Sequence, residues 1–223
     1  MAEPAAYVAQ ASCLRPTTIE GATLVTVLRH GAVQGRPFVY RGRQDDPLSD
    51  LGWRQMESAV GAGLPAIDAI ACSPALRCQV FAQQLAERLE IPLHVAPAFQ
   101  EMAFGEWEGL TPEQAAQRNP VEHALFRAST GTVAAPGGEN LIEVRQRVRA
   151  GWEDWLADAR GGQRLLVTHA GVMRALLIEL LGLPASHVYR IALPEAAHFQ
   201  VSLLAGEAPI LLSLNSSHES RLP

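Results

Sequence analysis

The sequence predicts an α/β fold with an open sheet whose strand ends carry the chemistry. Three observations point there. Short apolar, β-branched runs alternate with longer stretches in which apolar residues recur at helical spacing. Two of those runs stop at a histidine with a glycine close behind, in Leu28-Arg29-His30-Gly31 and in Thr168-His169-Ala170-Gly171. A third run passes directly into Ser73-Pro74, which reads as a helix start. In open α/β sheets, ligands bind in the crevice beyond the carboxyl ends of the strands. Arg29, His30 and His169 are therefore delivered to one crevice, with Gly31 allowing a sharp turn free of a Cβ.

Taken in order, the first strand is Thr23 through Leu28, where Val and Thr suit a pleated surface. The polar loop Ala32 to Leu48 holds Arg36, Arg41 and Arg43. Its length marks it as functional, although each arginine taken singly reads as a solvated side chain. Ser49 caps a helix through Trp53, Met56 and Val60 that ends near Gly61 and Gly63. Ile67 to Cys72 is the second strand. With Ser73 as cap and Pro74 in the first turn, a helix follows through Val80, Leu85 and Leu89. Arg77 lies in its first turns, where a guanidinium adds to a helix terminus that already favours anions.

Ile91 to Val95 is an edge-like third strand carrying Pro92. The segment Glu101 to Gly109 packs three carboxylates, two aromatics and two glycines into a constrained loop. Aromatic neighbours there favour a protonated general acid, while Glu108 reads as part of a solvated turn. Thr111 to Arg127 forms one or two helices, and Ala128 to Gly138 a loop or lid. Glu139 to Ala159 is a helix with Leu141, Val144, Val148, Trp152 and Trp155 on one face, the tryptophans as core. Arg164 to Thr168 is a strand, followed by a helix through Val172, Leu176 and Leu180 that stops at Gly182 and Pro184. Three strands close the chain: Val188 to Leu193, Phe199 to Leu204 and Ile210 to Leu214.

Composition narrows the function. The chain has 223 residues, 48% hydrophobic and 18% charged. This predicts one large domain over 22–214, with a flexible tail at 1–21 and a frayed one at 215–223. A net charge of −5 leaves no basic footprint for nucleic acid. Three cysteines (Cys13, Cys72 and Cys78), without a CxxC pair, argue against a disulfide framework or a zinc site and suit a reducing compartment. Cys72 reads as a small buried hydrophobe. The opening segment lacks the pattern of a signal peptide, and no stretch nears the roughly 18 to 20 apolar residues that span a bilayer. A cytoplasmic protein without membrane partners is expected.

Arg29, His30, Arg77 and His169 all fall at or just after strand ends. Two planar donor forks beside two imidazoles suit a phosphoryl group, which Arg binds through paired donors and His can attack. The loop at Glu101 and Glu106 supplies candidates for the acid that protonates a leaving oxygen.

On these residues the chain resembles the histidine phosphatase superfamily, also called phosphoglycerate mutase-like. The matching pieces are Leu28-Arg29-His30-Gly31, Pro47-Leu48-Ser49-x-x-Gly52, Ser73-Pro74-x-x-Arg77, Glu101-x-x-Phe104-Gly105-x-Trp107-Glu108-Gly109, Pro136-Gly137-Gly138-Glu139 and Val167-Thr168-His169-Ala170-Gly171. Each is weak alone; the ordered set is specific. The resemblance implies a three-layer α/β/α sandwich with a mostly parallel central sheet, and a phosphohistidine intermediate. Within the superfamily, 104–109 and 136–139 look most like the α-ribazole phosphatases of cobalamin synthesis. Many relatives carry Glu after Arg-His-Gly, and further on an Asn that touches phosphate. This chain reads Ala32-Val33-Gln34-Gly35-Arg36 there, so Gln34, Arg36 and Gly42 become the candidate substitutes.

The expectation is a metal-independent phosphomonoesterase acting on a small phosphorylated metabolite, α-ribazole 5′-phosphate among them, with no cofactor. His30 attacks phosphorus, while Arg29, Arg77 and His169 hold the oxygens. Gln34 and Gly42 complete the phosphate shell. Glu101 is the general acid, with Glu106 as runner-up. His94, His123, His187, His198 and His218 are left structural or on the surface. Two rivals stand beside this reading. A phosphoglycerate mutase-type phosphotransferase is disfavoured by the short segment between the acid loop and Gly138-Glu139. A non-catalytic phospho-ligand module is disfavoured by the intact His30, His169 and Glu101. The oligomeric state is left open, a homodimer being one option.

Overall fold

Strand β1 (Thr23–Arg29) is buried along almost its whole length because it runs through the middle of a six-stranded sheet. The computed structural model describes residues 21–61, 66–159 and 161–215. The other strands are β2 (Ala69–Cys72), β3 (Leu93–Val95), β4 (Gln163–Thr168), β5 (His198–Leu203) and β6 (Ile210–Asn215), in the spatial order β3-β2-β4-β1-β5-β6. The pairs β3–β2, β2–β4 and β4–β1 are parallel, whereas β1–β5 and β5–β6 are antiparallel. The mostly parallel sheet expected from the resemblance is thus found. Alternation along the strands sorts the side chains onto two faces. Val25, Val27, Ala71 and Leu166 point to one core, and Leu28, Ile70, Cys72, Leu165 and Val167 to the other.

Helices cover both faces. Helices α1 (Asp50–Gly61) and α2 (Leu76–Leu89) bury Met56, Phe81 and Leu85 on the second face. The first face receives helices α5 (Leu141–Leu156) and α6 (Ala170–Leu181), which contribute Leu141, Val144, Val148, Trp152 and Leu176. Each fully buried side chain of this size contributes about 1.5–3 kcal/mol of transfer free energy, so the two faces supply most of the driving force. Trp152 and Trp155 belong to this core, as expected. Between Thr111 and Arg127, where one or two helices were expected, there are two, α3 (Pro112–Arg118) and α4 (Pro120–Ala128), divided at Asn119-Pro120. With the loop at 129–138 they build a smaller cluster around Trp107, Ala115 and Ala135. Among the described residues, no helix is long and apolar enough to cross a membrane.

Three expectations change. Val188 to Leu193 is not a strand: α7 (Ala185–Val188) and a turn occupy the segment. Here Arg190 N–H donates to the His187 carbonyl at 2.9 Å. Pro184 and Pro194 bracket it, and β5 already fills the place beside β1, so Val188 and Leu193 are buried by packing alone. Helix α2 starts at Leu76, with Ala75 as cap residue, so Ser73 and Pro74 precede the helix. Its first amide, on Leu76, is instead satisfied at 2.7 Å by the carboxylate of Asp45. The last strand takes in Asn215, assigned to a tail by sequence; apart from Gly21, the rest of the two expected tails, with Cys13 and His218, lies outside the described residues.

Candidate active site

Parallel pairing of β1 with β4 sets Arg29 opposite Thr168, so the residues that follow them leave the sheet side by side. His30 N–H donates to the Thr168 carbonyl at 2.9 Å, and the rings of His30 and His169 stand edge to face with centroids 5.3 Å apart. Both are buried. The Nδ1 of His30 lies 2.8 Å from the Gly31 carbonyl oxygen. A carbonyl can only accept, so the proton sits on Nδ1 and the lone pair on Nε2. Burial, aided by the positive Arg29 and Arg77, holds the His30 imidazole well below its ordinary value despite the Gly31 carbonyl. The ring is therefore neutral at neutral pH, as a nucleophile must be. Gly31 serves close packing more than ligand access: a Cβ there would fall 2.2 Å from the Gly52 carbonyl oxygen.

Arg77 is fully buried, and its guanidinium is anchored in three directions. Its Nε donates to His169 Nδ1 at 3.3 Å, Nη1 to the Gln44 carbonyl at 2.5 Å and Nη2 to the Gly42 carbonyl at 2.8 Å. A guanidinium has five N–H donors, so two remain for an oxyanion. Arg29 spends Nη1 on the Leu193 carbonyl at 2.7 Å, while its buried Nε has no partner among the described residues. Burial lowers its affinity for the proton, partly offset by Glu195 and Glu101. His169 is likewise held well below its ordinary value, by burial first and then by Arg77, His30 and Arg29.

The carboxylate of Glu101 reaches the first turn of α6, accepting from Gly171 N–H at 3.1 Å and from Met102 N–H at 2.9 Å. It lines a cavity of about 90 Å³ together with Arg77, Gly42, Arg43, Asp45 and Gln100. Arg29, His30, Arg77, His169 and Glu101 thus gather at one end of the sheet. Glu106 does not join them: its carboxylate is half exposed, 3.7 Å from Arg118. A larger surface depression of about 400 Å³ beside Gln83, Ile91 and Leu93 holds none of these residues.

Of the three candidates for the missing Asn, Gly42 lines the cavity with Arg77 and Glu101, whereas Gln34 and Arg36 do not. Gln34 is exposed and donates its amide to the Leu48 carbonyl at 3.1 Å. Gly42 contributes its carbonyl to Arg77, at a φ of 54° that favours glycine. Arg36, the other candidate, is exposed as well. Arg41 is the loop arginine that turns inward: it is half-buried, ion-paired with Asp46, and lowered by burial and then by repulsion from Arg77.

Four supporting groups escaped the sequence reading. Ser73 is fully buried with its Oγ 2.7 Å from His169 Nε2. Glu108 is not a solvated turn residue, because its Oε1 accepts from the amides of Arg43 and Phe104, each at 3.0 Å, and so ties two site loops together. Arg147 of α5 uses all five donors: on the Ala98 and Gln100 carbonyls at 2.8 Å, on the Glu101 carbonyl at 3.2 Å and on both oxygens of Glu139 at 2.9 Å. Glu139 in turn accepts from Ala103 N–H at 2.9 Å. Burial alone would raise Glu139, but Arg147, the Ala103 amide and Arg43 hold it below the usual carboxylate range. The stretch carrying Glu101 is thereby clamped from Ala98 to Ala103.

Comparison with known proteins adds the family context. A model described as histidine phosphatase superfamily (branch 1) matches residues 25–217. The bifunctional protein Rv2228c of Mycobacterium tuberculosis is 34% identical over 202 residues, covering 88% of this chain and 55% of that protein. The chain thus spans about half the length of the first curated relatives it matches. Adenosylcobalamin/alpha-ribazole phosphatase of Salmonella typhimurium is 24% identical over 192 residues, covering 85% of this chain and 95% of that one. Among solved structures, mycobacterial glucosyl-3-phosphoglycerate phosphatase matches with a TM-score of 0.77 at 27% identity, over 88% of this chain and 100% of that one.

Proposed function

Because the chain belongs to the histidine phosphatase superfamily (branch 1), we propose that it hydrolyses phosphomonoesters through a phosphohistidine on His30. The observation that carries this reading is the Nδ1 contact of His30 with the Gly31 carbonyl, which leaves Nε2 neutral and unprotonated at the mouth of an arginine-lined crevice. The Nε2 lone pair attacks phosphorus, and the bond from phosphorus to the leaving oxygen breaks. Arg29, Arg77 and His169 stabilise the equatorial oxygens. Glu101 gives its proton to the leaving oxygen; its carboxylate then takes a proton from the water that attacks phosphohistidine, releasing inorganic phosphate and restoring both groups. Glu101 is favoured over Glu106 because only the former shares a cavity with Arg77.

No metal enters this scheme. Two guanidiniums supply the positive charge, and among the described residues no group of three or more His, Cys, Asp or Glu side chains is arranged to hold an ion. The substrate is a small phosphorylated metabolite in the cytoplasm. Similarity to the Salmonella enzyme, together with segments 104–109 and 136–139, supports α-ribazole 5′-phosphate as the first compound to test. Release of nitrophenol from p-nitrophenyl phosphate in EDTA is the direct assay, with acid-labile phosphate trapped on His30 during turnover. Label on His169 would reverse the two histidines' roles. Activity that EDTA removes and Mg²⁺ restores would overturn the mechanism, and absent turnover would favour a binding module.

A further inference from the structure

We propose that Ser73 is a positioning residue for His169: it accepts the proton that the Arg77 donor confines to Nε2, and so supports the imidazolium when Nδ1 turns to the phosphoryl group. This rests on the phosphatase reading for its purpose but not for its geometry. Both nitrogens of His169 have a partner. Nδ1 faces Arg77 Nε at 3.3 Å, and Nε2 faces Ser73 Oγ at 2.7 Å. A guanidinium N–H can only donate, so Nδ1 is the acceptor in the resting site. Nε2 then bears the hydrogen and donates it to Ser73.

The serine is held for that task. Its Oγ also accepts from Ala75 N–H at 3.2 Å, and its side chain is sealed from solvent. Cys78 Sγ lies 3.7 Å from the same nitrogen, but it is a far weaker acceptor than a hydroxyl at 2.7 Å. When a phosphoryl group draws Arg77 towards its oxygens, Nδ1 loses its donor and can take up a proton, which it then shares with a phosphoryl oxygen. Burial opposes this step first, then Arg77 from α2, Arg29 from β1 and Arg147 from α5, with the His30 ring edge-on beside it; the Glu101 carboxylate, which accepts from Gly171 N–H two residues on, favours it. The Cys78 thiol stays neutral, pushed up by burial. Ser73 is the uncharged acceptor that keeps Nε2–H satisfied in both states and so favours the imidazolium. The Ser-Pro-x-x-Arg stretch thereby brings the clamp, Arg77, and the partner of His169 on one turn.

The test is direct. In protein labelled with ¹⁵N-histidine, long-range ¹H–¹⁵N correlation spectra distinguish the two tautomers, and a His169→Gln variant assigns the ring. The resting wild type should show His169 protonated at Nε2 alone. Ser73→Ala should leave the resting tautomer in place, since Arg77 Nε still donates to Nδ1, and move the basic limb of the kcat/KM profile for p-nitrophenyl phosphate about one pH unit to the acid side, since losing one hydrogen bond to a charged group weakens proton affinity about tenfold. Ser73→Thr, which keeps the hydroxyl, should restore the profile. A wild-type ring protonated at Nδ1 would overturn the proposal without any variant having to fold. So would a Ser73→Ala protein whose pH profile is unchanged. The expected tautomer in a protein that hydrolyses no phosphate ester would instead sink the phosphatase reading and leave the assignment of Nε2 standing.

Discussion

Replacing Arg147 with Met removes five N–H donors while keeping much of the side chain's volume, and it should be the most damaging single change outside the crevice. The Glu139 carboxylate would lose its two hydrogen bonds to the guanidinium, and the carbonyls of Ala98, Gln100 and Glu101 would each lose a donor. Breaking a buried ion pair from one side typically costs about 3–5 kcal/mol. The two side chains are 20% and 18% exposed, and Glu139 keeps the Ala103 amide and Arg43, so the lower end, about 3 kcal/mol, applies. For a protein of this size that corresponds to a drop of roughly 6–12 °C in Tm. Urea unfolding at pH 7 should show the lower midpoint at an unchanged slope. A cycle with Glu139→Gln should show coupling above about 1 kcal/mol, because the two groups share one network. A loss below about 1 kcal/mol, or additivity of the two changes, would refute the clamp.

Other consequences follow from the same geometry. Glu101→Gln should cost tens-fold more rate on an alkyl phosphate than on p-nitrophenyl phosphate, since general acid catalysis contributes about 10²–10⁴-fold and a nitrophenolate needs little of it. Glu106→Gln should show a smaller gap, and an exchange of behaviour between the two variants would move the proton to Glu106. Stability should fall on acidification. His30 and His169 stay neutral in the fold, whereas the unfolded chain protonates them below about pH 6.5. Glu139, held low, adds its loss further down the scale. Urea midpoints between pH 8 and 5 will register this, and a midpoint that rises towards pH 5.5 contradicts it. Gly42→Ala would set a Cβ 2.2 Å from Glu108 Oε1 at a φ of 54°. It should destabilise by about 1–3 kcal/mol and raise KM through Arg77, with part of the loss returned by adding Glu108→Ala.

The pocket's principal residues were legible because their signals are local. A β-branched run that breaks at Arg29-His30-Gly31 announces both a buried strand and the place where it stops, and Thr168-His169 repeats the pattern. The supporting groups were not, because their partners are remote in sequence. Ser73 carries the local pattern of a helix cap, yet its partner is a ring 96 residues away. Arg147 lies on an amphipathic helix, where an arginine normally meets water; its carbonyl partners are 46 to 49 residues back along the chain. Gln34 and Gly42 were chosen by position in a loop whose path is set by Glu108, Leu110 and Asp45, all outside the reach of spacing arguments. The strand expected at Val188 to Leu193 had the right composition but no vacant sheet edge to join.

The position of β1 in the sheet has a consequence for how the protein comes into being. Both of its neighbours, β4 and β5, come from sequence well beyond it, after α5. During synthesis β1, with His30 directly after it, emerges before its partners and waits, with both hydrogen-bonding edges open, until residues beyond 162 have left the ribosome. Pairings this distant are slow to close, and an apolar strand left without partners is prone to associate with other chains. Yield in a cell should therefore respond to chaperone supply and translation rate more than to the affinity of any ligand. Half-made chains should carry His30 without any pocket to put it in.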